Sequence, residues 1–226
     1  MSHIRPLDLN ATATASCLKW LTESEHARYR RFATDALRHD YIAARWLCRA
    51  TLSHYTGVDP AAWVFQTGRH GKPQIAGPAE FVSLRFNLTH TAGLVACAVT
   101  RAGEVGVDAE ETSRAADVEA IARQFFSPAE QTWIAQVSGA ARIDRFFQCW
   151  VAKEAWLKGR GEGLLAPPDT MGLEWDETER PRQPNGWQLT LHRPTSGHLA
   201  AVAVQHLKGA APIPVTWRAA TELSHA

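Results

Sequence analysis

Asp108 and Glu110 stand two residues apart in the stretch VGVDAE (105–110), and a third carboxylate, Glu154, interrupts the apolar side of a helical pattern in WVAKEAWLKGRGEGL (150–164). In an extended strand, alternation puts Val105 and Val107 on one face and Asp108 and Glu110 on the other. Like charges so placed repel, so either solvent dilutes them at a strand end or a cation bridges them. Along the helix, Ile143, Phe147 and Trp150 follow the three-and-four spacing of one face, and the same spacing continues to Glu154 and Lys158. A carboxylate on a face that should be buried is costly without a partner. Lys158, one turn on, either pairs with Glu154 as an ordinary surface couple or reaches an anion. Three carboxylates converging on one cleft would make an all-oxygen site, which suits Mg²⁺ rather than zinc or copper. Mg²⁺ usually shares its shell with substrate phosphates, so the substrate would carry phosphate.

Basic and hydroxyl side chains suited to such a substrate occur elsewhere. His90 lies among Asn87, Thr89 and Thr91, where these residues either cap a loop or contact phosphate. Lys72 and Pro73 close the turn GRHGKP (68–73), in which Lys72 alone reads as a plain hairpin lysine. Arg28, Arg31, Arg45 and Arg49 fall on two helical patterns, either as a solvated basic face or as a bidentate grip on phosphate. Glu130 is accounted for as the reciprocal partner of Ser127 in a capping box.

The elements that must position these groups follow from local signals. Thr22-Glu23-Ser24-Glu25 has the form of a capping box and opens a short helix through Arg31; a second helix runs from about Asp35 to Tyr55 and ends at Gly57. Short strands flank the 68–73 turn, Leu94–Val99 reads as a buried strand, and Glu104–Glu110 as another. Helical patterns cover 115–126, the segment opened by Ser127-Pro128, and about 140–158, the last stopped by Gly159, Gly161 and Gly163. Strands at 187–192 and 199–204 follow, with the turn at 183–186. The stretch TAGLVACAV (91–99) is echoed by SGHLAAVAV (196–204), which suggests two similar α+β lobes divided near residue 103, with a ligand cleft between them.

Charge is balanced, 24 basic against 23 acidic residues, so an anionic ligand has to be held by a local cluster rather than by the overall field. Four scattered cysteines without metal-type spacing read as reduced core residues. The start lacks the pattern of a secretory signal and no apolar run is long enough to span a bilayer, so the expected compartment is the cytoplasm.

In this order, GRHGKP (68–73), FNLTHT (86–91), GVDAE (106–110), FFSPAE (125–130) and WVAKEAWLKGRGEGL (150–164) resemble the Sfp-type 4'-phosphopantetheinyl transferases, the last fitting the family pattern W-x-x-K-E-A-x-x-K-x-x-G-x-G-L. The resemblance implies a monomer built as a pseudo-dimer of two α+β lobes, 1–103 and 104–226, with coenzyme A and Mg²⁺ in the cleft. It implies transfer of the phosphopantetheine arm to a serine of an apo acyl or peptidyl carrier protein, with release of adenosine 3',5'-bisphosphate. By position, Asp108, Glu110 and Glu154 would hold the metal. Glu154, Lys158 and His90 would be catalytic, and Arg28, Arg45, Lys72, Pro73, Thr89, His90 and Lys158 would contact the coenzyme. Thr89 and Thr91 stand where the family commonly has serine, and Ala109 where it has a larger aliphatic. The rival readings are a Mg²⁺-dependent nucleotide phosphohydrolase and a non-catalytic coenzyme A-binding domain.

Overall fold

Both capping boxes form and each opens a helix: Thr22 and Glu25 exchange side-chain and backbone bonds ahead of α2 (Glu23–Arg30), as Ser127 and Glu130 do ahead of α5 (Pro128–Ala135). In each half a 22-residue helix follows, α3 (Asp35–Thr56) and α6 (Gly139–Arg160), released through a left-handed glycine, Gly57 at φ 75° and Gly161 at φ 70°. Glycine alone enters that region without a steric cost. Our computed structural model describes residues 2–6, 9–68, 71–113, 117–161, 172–176, 178–182, 186–206 and 211–223. The expected middle of the 68–73 turn, the start of the 115–126 helix, Gly163 and most of the 183–186 turn lie outside the described residues.

Before α2 come β1 (Ser2–Pro6) and α1 (Ala11–Trp20), the latter capped by Asn10, whose Oδ1 accepts from Ala13 N at 2.8 Å. The first half continues with β2 (Val64–Thr67), β3 (Pro73–Gly77), β4 (Arg85–Thr91) and β5 (Leu94–Thr100). The second half has β6 (Val105–Glu111), α4 (Val118–Phe125), α5, α6, β7 (Trp187–Thr195), β8 (His198–Gln205) and β9 (Trp217–Ala219). Strands order as β4-β5-β1-β9 in one sheet and β6-β8-β7 in another, with β2-β3 a separate hairpin. The parallel β1-β9 pair returns the C-terminal segment to the first sheet, and Ala220 and Leu223 enter the core under α3.

The resulting fold is two-lobed α+β, layered helix, sheet, sheet, helix. Alternation explains why β5 and β8 read as unbroken apolar runs: both faces are covered. Val95, Cys97 and Val99 turn to the α3 core, while Leu94, Ala96 and Ala98 meet Val105, Val107, Ala109, Ala200, Val202 and Val204 between the sheets. Leu199, Ala201 and Ala203 pack with the buried side of α6.

Two features of α6 correct the sequence reading. The helix continues through Gly159 instead of stopping there, and Ile143 is 42% exposed, so the stripe through Trp150, Glu154 and Lys158 runs along the edge of the buried face. The fully enclosed side carries Phe146, Cys149, Ala152, Lys153 and Trp156. Gly159 stays helical because α6 lies directly on β6: a Cβ on Gly106 would collide with Ala155 O and Gly159 N, and one on Gly159 with the Trp187 ring at 2.6 Å. Gly106→Ala is expected to destabilise the protein by about 2 kcal/mol, because backbone on both sides must shift; thermal unfolding of the variant measures it, and an unchanged midpoint would contradict this packing.

Candidate active site

Strand β4 divides its side chains between two environments. Asn87, Thr89 and Thr91 face β6: Asn87 Oδ1 accepts from Val107 N at 2.9 Å, Thr89 Oγ1 donates to Asp108 Oδ1 at 3.1 Å, and Thr91 Oγ1 to Glu110 Oε2 at 3.4 Å. The other face turns Leu88 and His90 into a cavity of about 580 Å³ walled by α2, α3, β2 and β3. The sequence reading had these polar residues as a stretch leading into a strand; they are a strand, paired with β5 along its whole length.

At the seam, Asp108 is 4% exposed. Its Oδ1 accepts from Lys158 Nζ at 2.5 Å, and Lys158 also donates to Thr89 Oγ1 at 3.0 Å. Asp108 Oδ2 is buried without a hydrogen-bond partner among the described residues. Glu110 accepts from Trp150 Nε1 at 3.3 Å, a contact the sequence reading missed because Trp150 was read only as an apolar position. Glu154 is half-buried, and burial, followed by the charges of Asp108 and Glu110, pushes its carboxyl up to about 7 against the pull of Lys158.

The three expected carboxylates therefore share one neighbourhood, in which the charges of Asp108 and Glu110 reach Glu154. Among the described residues, no three side chains form a ready-made metal cage. The donor set nevertheless fits a hard divalent cation. All donors are oxygens, one buried carboxylate oxygen lacks a partner, and the mutual repulsion on Glu154 is what a cation would relieve.

Four of the expected coenzyme contacts, Arg28, Arg45, Pro73 and His90, line the cavity together. The aromatic floor is Tyr41, with the Arg45 guanidinium 5.0 Å and that of Arg28 5.8 Å from the ring centroid. Arg45 Nε lies 3.7 Å from Glu25 Oε1. Arg49 is separated from these: fully buried, it donates to Glu25 Oε2 at 2.6 Å and to Trp20 O at 3.2 Å. Arg31 is exposed and does not line the cavity. Thr89 and Lys158 belong to the carboxylate seam. Lys72 is in neither place; its ammonium is enclosed by Glu104 Oε2, Val105 O and Gly159 O.

Glu130, which the sequence explains as a capping residue, has a second role behind the site. Glu130, 0% exposed, accepts from Lys153 Nζ at 2.8 Å and from Leu173 N at 2.9 Å in addition to its capping bond. This mirrors Glu25 and Arg49. Thr22 and Ser127, Glu25 and Glu130, Arg49 and Lys153, and Gly57 and Gly161 are each 104 or 105 positions apart, a recurrence that could have exposed the Lys153 pair from sequence.

Comparison with known proteins agrees with this two-part layout. Residues 104–212 match a family model described as the 4'-phosphopantetheinyl transferase superfamily, and residues 8–102 one described as 4'-phosphopantetheinyl transferase, N-terminal. The chain is 30% identical over 200 residues to the 4'-phosphopantetheinyl transferase HetI of Nostoc sp., covering 88% of this chain and 84% of that one. It is 27% identical over 156 residues to the 4'-phosphopantetheinyl transferase Sfp of Bacillus subtilis, covering 69% and 67%. The 4'-phosphopantetheinyl transferase AcpT of Escherichia coli is 34% identical over 118 residues, covering 52% and 57%.

Proposed function

This chain belongs to the 4'-phosphopantetheinyl transferase superfamily, and from that premise we propose that it moves the phosphopantetheine arm of coenzyme A to a serine of an apo acyl or peptidyl carrier protein. The observation that carries the reading is the split of β4. Thr89 joins the carboxylate and lysine seam while the next residue, His90, joins the arginine-lined cavity. A nucleotide held in the cavity by Arg28, Arg45 and His90 would extend its pyrophosphate past β4 toward Lys158.

Asp108, Glu110 and Glu154 would hold Mg²⁺, which when bound neutralises pyrophosphate charge and orients the oxygens around phosphorus. The protein's own groups then have distinct tasks. Glu154, whose carboxyl sits near 7, accepts the carrier serine proton. The serine oxygen bonds to the phosphorus that bears pantetheine, and the bond from that phosphorus to the bridging oxygen breaks. Adenosine 3',5'-bisphosphate leaves, with Lys158 and His90 stabilising charge on the phosphate oxygens. Most of the gain comes from holding the reactants together.

The lobes are taken to meet between residues 103 and 104, with 217–223 a strap returned to the first. A monomer is the working state, since one chain supplies both lobes. The four buried free thiols suit a reducing compartment, which supports the cytoplasm.

Intact mass spectrometry of apo carrier proteins incubated with this protein, coenzyme A and Mg²⁺, beside a chelator control, tests the reading. A metal-dependent gain of one phosphopantetheine is expected. No gain, with coenzyme A hydrolysed or only bound, would favour a phosphohydrolase or a binding domain. Arg45→Ala is expected to raise KM for coenzyme A by about tenfold with kcat little changed, the loss of one charged contact to the bound nucleotide; steady-state kinetics decide it, and an unaltered KM would remove Arg45 from the contact set.

A further inference from the structure

Lys72 is the one cation among the expected coenzyme contacts whose described hydrogen bonds use every donor it has. An ammonium has three protons, and here three oxygens take them: Glu104 Oε2 at 2.8 Å, Val105 O at 3.1 Å and Gly159 O at 2.7 Å. The side chain is 10% exposed. Each oxygen belongs to a part of the molecule that bears on the proposed chemistry. Gly159 follows Lys158 in the last turn of α6, where carbonyls lack helical partners and the helix presents its negative end. Val105 begins the strand that carries Asp108 and Glu110. Glu104 is held from its other oxygen by Arg85 Nε at 2.8 Å, and Arg85 begins the strand that carries Thr89 and His90. Lys72 itself precedes Pro73, part of the cavity wall.

We propose that Lys72 is a positioning residue: it binds the last turn of α6 to the cavity wall and so sets the distance between the coenzyme site and the pair Glu154 and Lys158. The proposal rests on the transferase reading for its consequence but not for its geometry. Contact between Lys72 and a phosphate would require breaking a complete set of three hydrogen bonds, one of them to a carboxylate, in a shielded site. The close approach of α6 to β6 at Gly159 and Gly106 leaves the helix end little room to shift as a rigid body, so loss of the tie is felt in the order of its last turn.

Two measurements on the full-length protein test this. In Lys72→Met, hydrogen exchange of the amides at 157–161 is expected to quicken relative to the rest of α6. In transfer assays, kcat is expected to fall on the order of 10- to 100-fold while KM for coenzyme A changes by less than about threefold, the signature of misplaced groups rather than a lost contact. The factor is expected to be the same with coenzyme A and with 3'-dephospho-coenzyme A. Glu104→Gln, which loosens the same tie without altering Lys72, should move both readouts in the same direction and carries the test if Lys72→Met does not fold. Unchanged exchange at 157–161, or a raised KM with kcat intact that disappears for the dephospho substrate, would overturn the proposal in favour of a nucleotide contact. If the wild-type protein transfers nothing, the functional reading fails by itself, and the exchange measurement still decides whether Lys72 holds α6.

Discussion

Glu154→Gln is expected to lower transfer by about 10³-fold or more and, with metal chelated, to make the protein harder to unfold at pH 8. Both effects have one cause. Burial and the nearby Asp108 and Glu110 lift the Glu154 carboxyl from 4.5 to about 7. The folded wild-type chain therefore keeps this proton up to about pH 7, whereas the unfolded chain releases it near 4.5. Stability from that difference is fully present below 4.5 and is lost as pH rises through 7. Glutamine is uncharged throughout, so the variant should be more stable than wild type by about 1–3 kcal/mol at pH 8, after allowance for solvent screening, and the gain should shrink to nothing toward pH 4.5. Saturating Mg²⁺ should reverse the order, since it stabilises wild type by binding the folded state and has lost a ligand in the variant. Melting curves at pH 5 and pH 8, with chelator and with Mg²⁺, check the stabilities, and the carrier assay checks transfer. A variant with near-normal turnover would remove Glu154 from the reaction; equal melting at both pH values would mean its charge is not confined.

The parts of this arrangement that were legible in sequence are those whose cause is local. A capping box spans four residues and was read correctly twice; left-handed glycines ended both long helices where glycine was seen, though only by the structure could Gly159 be separated from Gly161. β5 and β8 were visible as apolar runs for the same reason that they are central strands. The same-face pair Asp108 and Glu110 followed from strand alternation alone. What stayed hidden depends on partners far along the chain. β1 and β9 pair across nearly the whole sequence, so neither has a local signature. α1, with Ala and Thr in half of its positions, has a weak apolar pattern, and its cap Asn10 is a short local signal that the sequence reading does not use. Lys72 looks like any turn lysine until Gly159, 87 positions later, is folded onto it. The family resemblance added the grouping of His90 with the arginines, which no spacing argument contained.

Lys153→Met is expected to lower stability by about 3–5 kcal/mol, because it strands a carboxylate that has no access to water. Glu130 is 0% exposed and the Lys153 side chain 8%, and Nζ also lies 5.5 Å from the centre of the Phe126 ring. Glu130 still accepts from Ser127 N and Leu173 N in the variant, but two neutral donors do not replace an ammonium in so dry a place. For a chain of this size the loss corresponds to a fall of roughly 10 °C in melting temperature. The double variant Lys153→Met, Glu130→Gln should recover part of it, since an amide needs no counter-charge, although its one oxygen can keep only one of the two backbone N–H groups that reach the separate oxygens of Glu130. Partial recovery would identify the stranded charge, rather than lost packing, as the damage; failure to recover would mean the methylene stem of Lys153 matters more than its head. The pair also has a directional role. It joins the cap of α5 to α6 one residue before Glu154, as Glu25 joins the cap of α2 to Arg49 on α3. In the first lobe that anchor lies beside a cavity lined by cations, and in the second beside a seam of carboxylates. The duplicated frame is thus the same in both halves, and the residues mounted next to each anchor are what differ: Arg28, Arg45 and His90 line the cavity in one, while Asp108, Glu110 and Lys158 meet at the seam in the other.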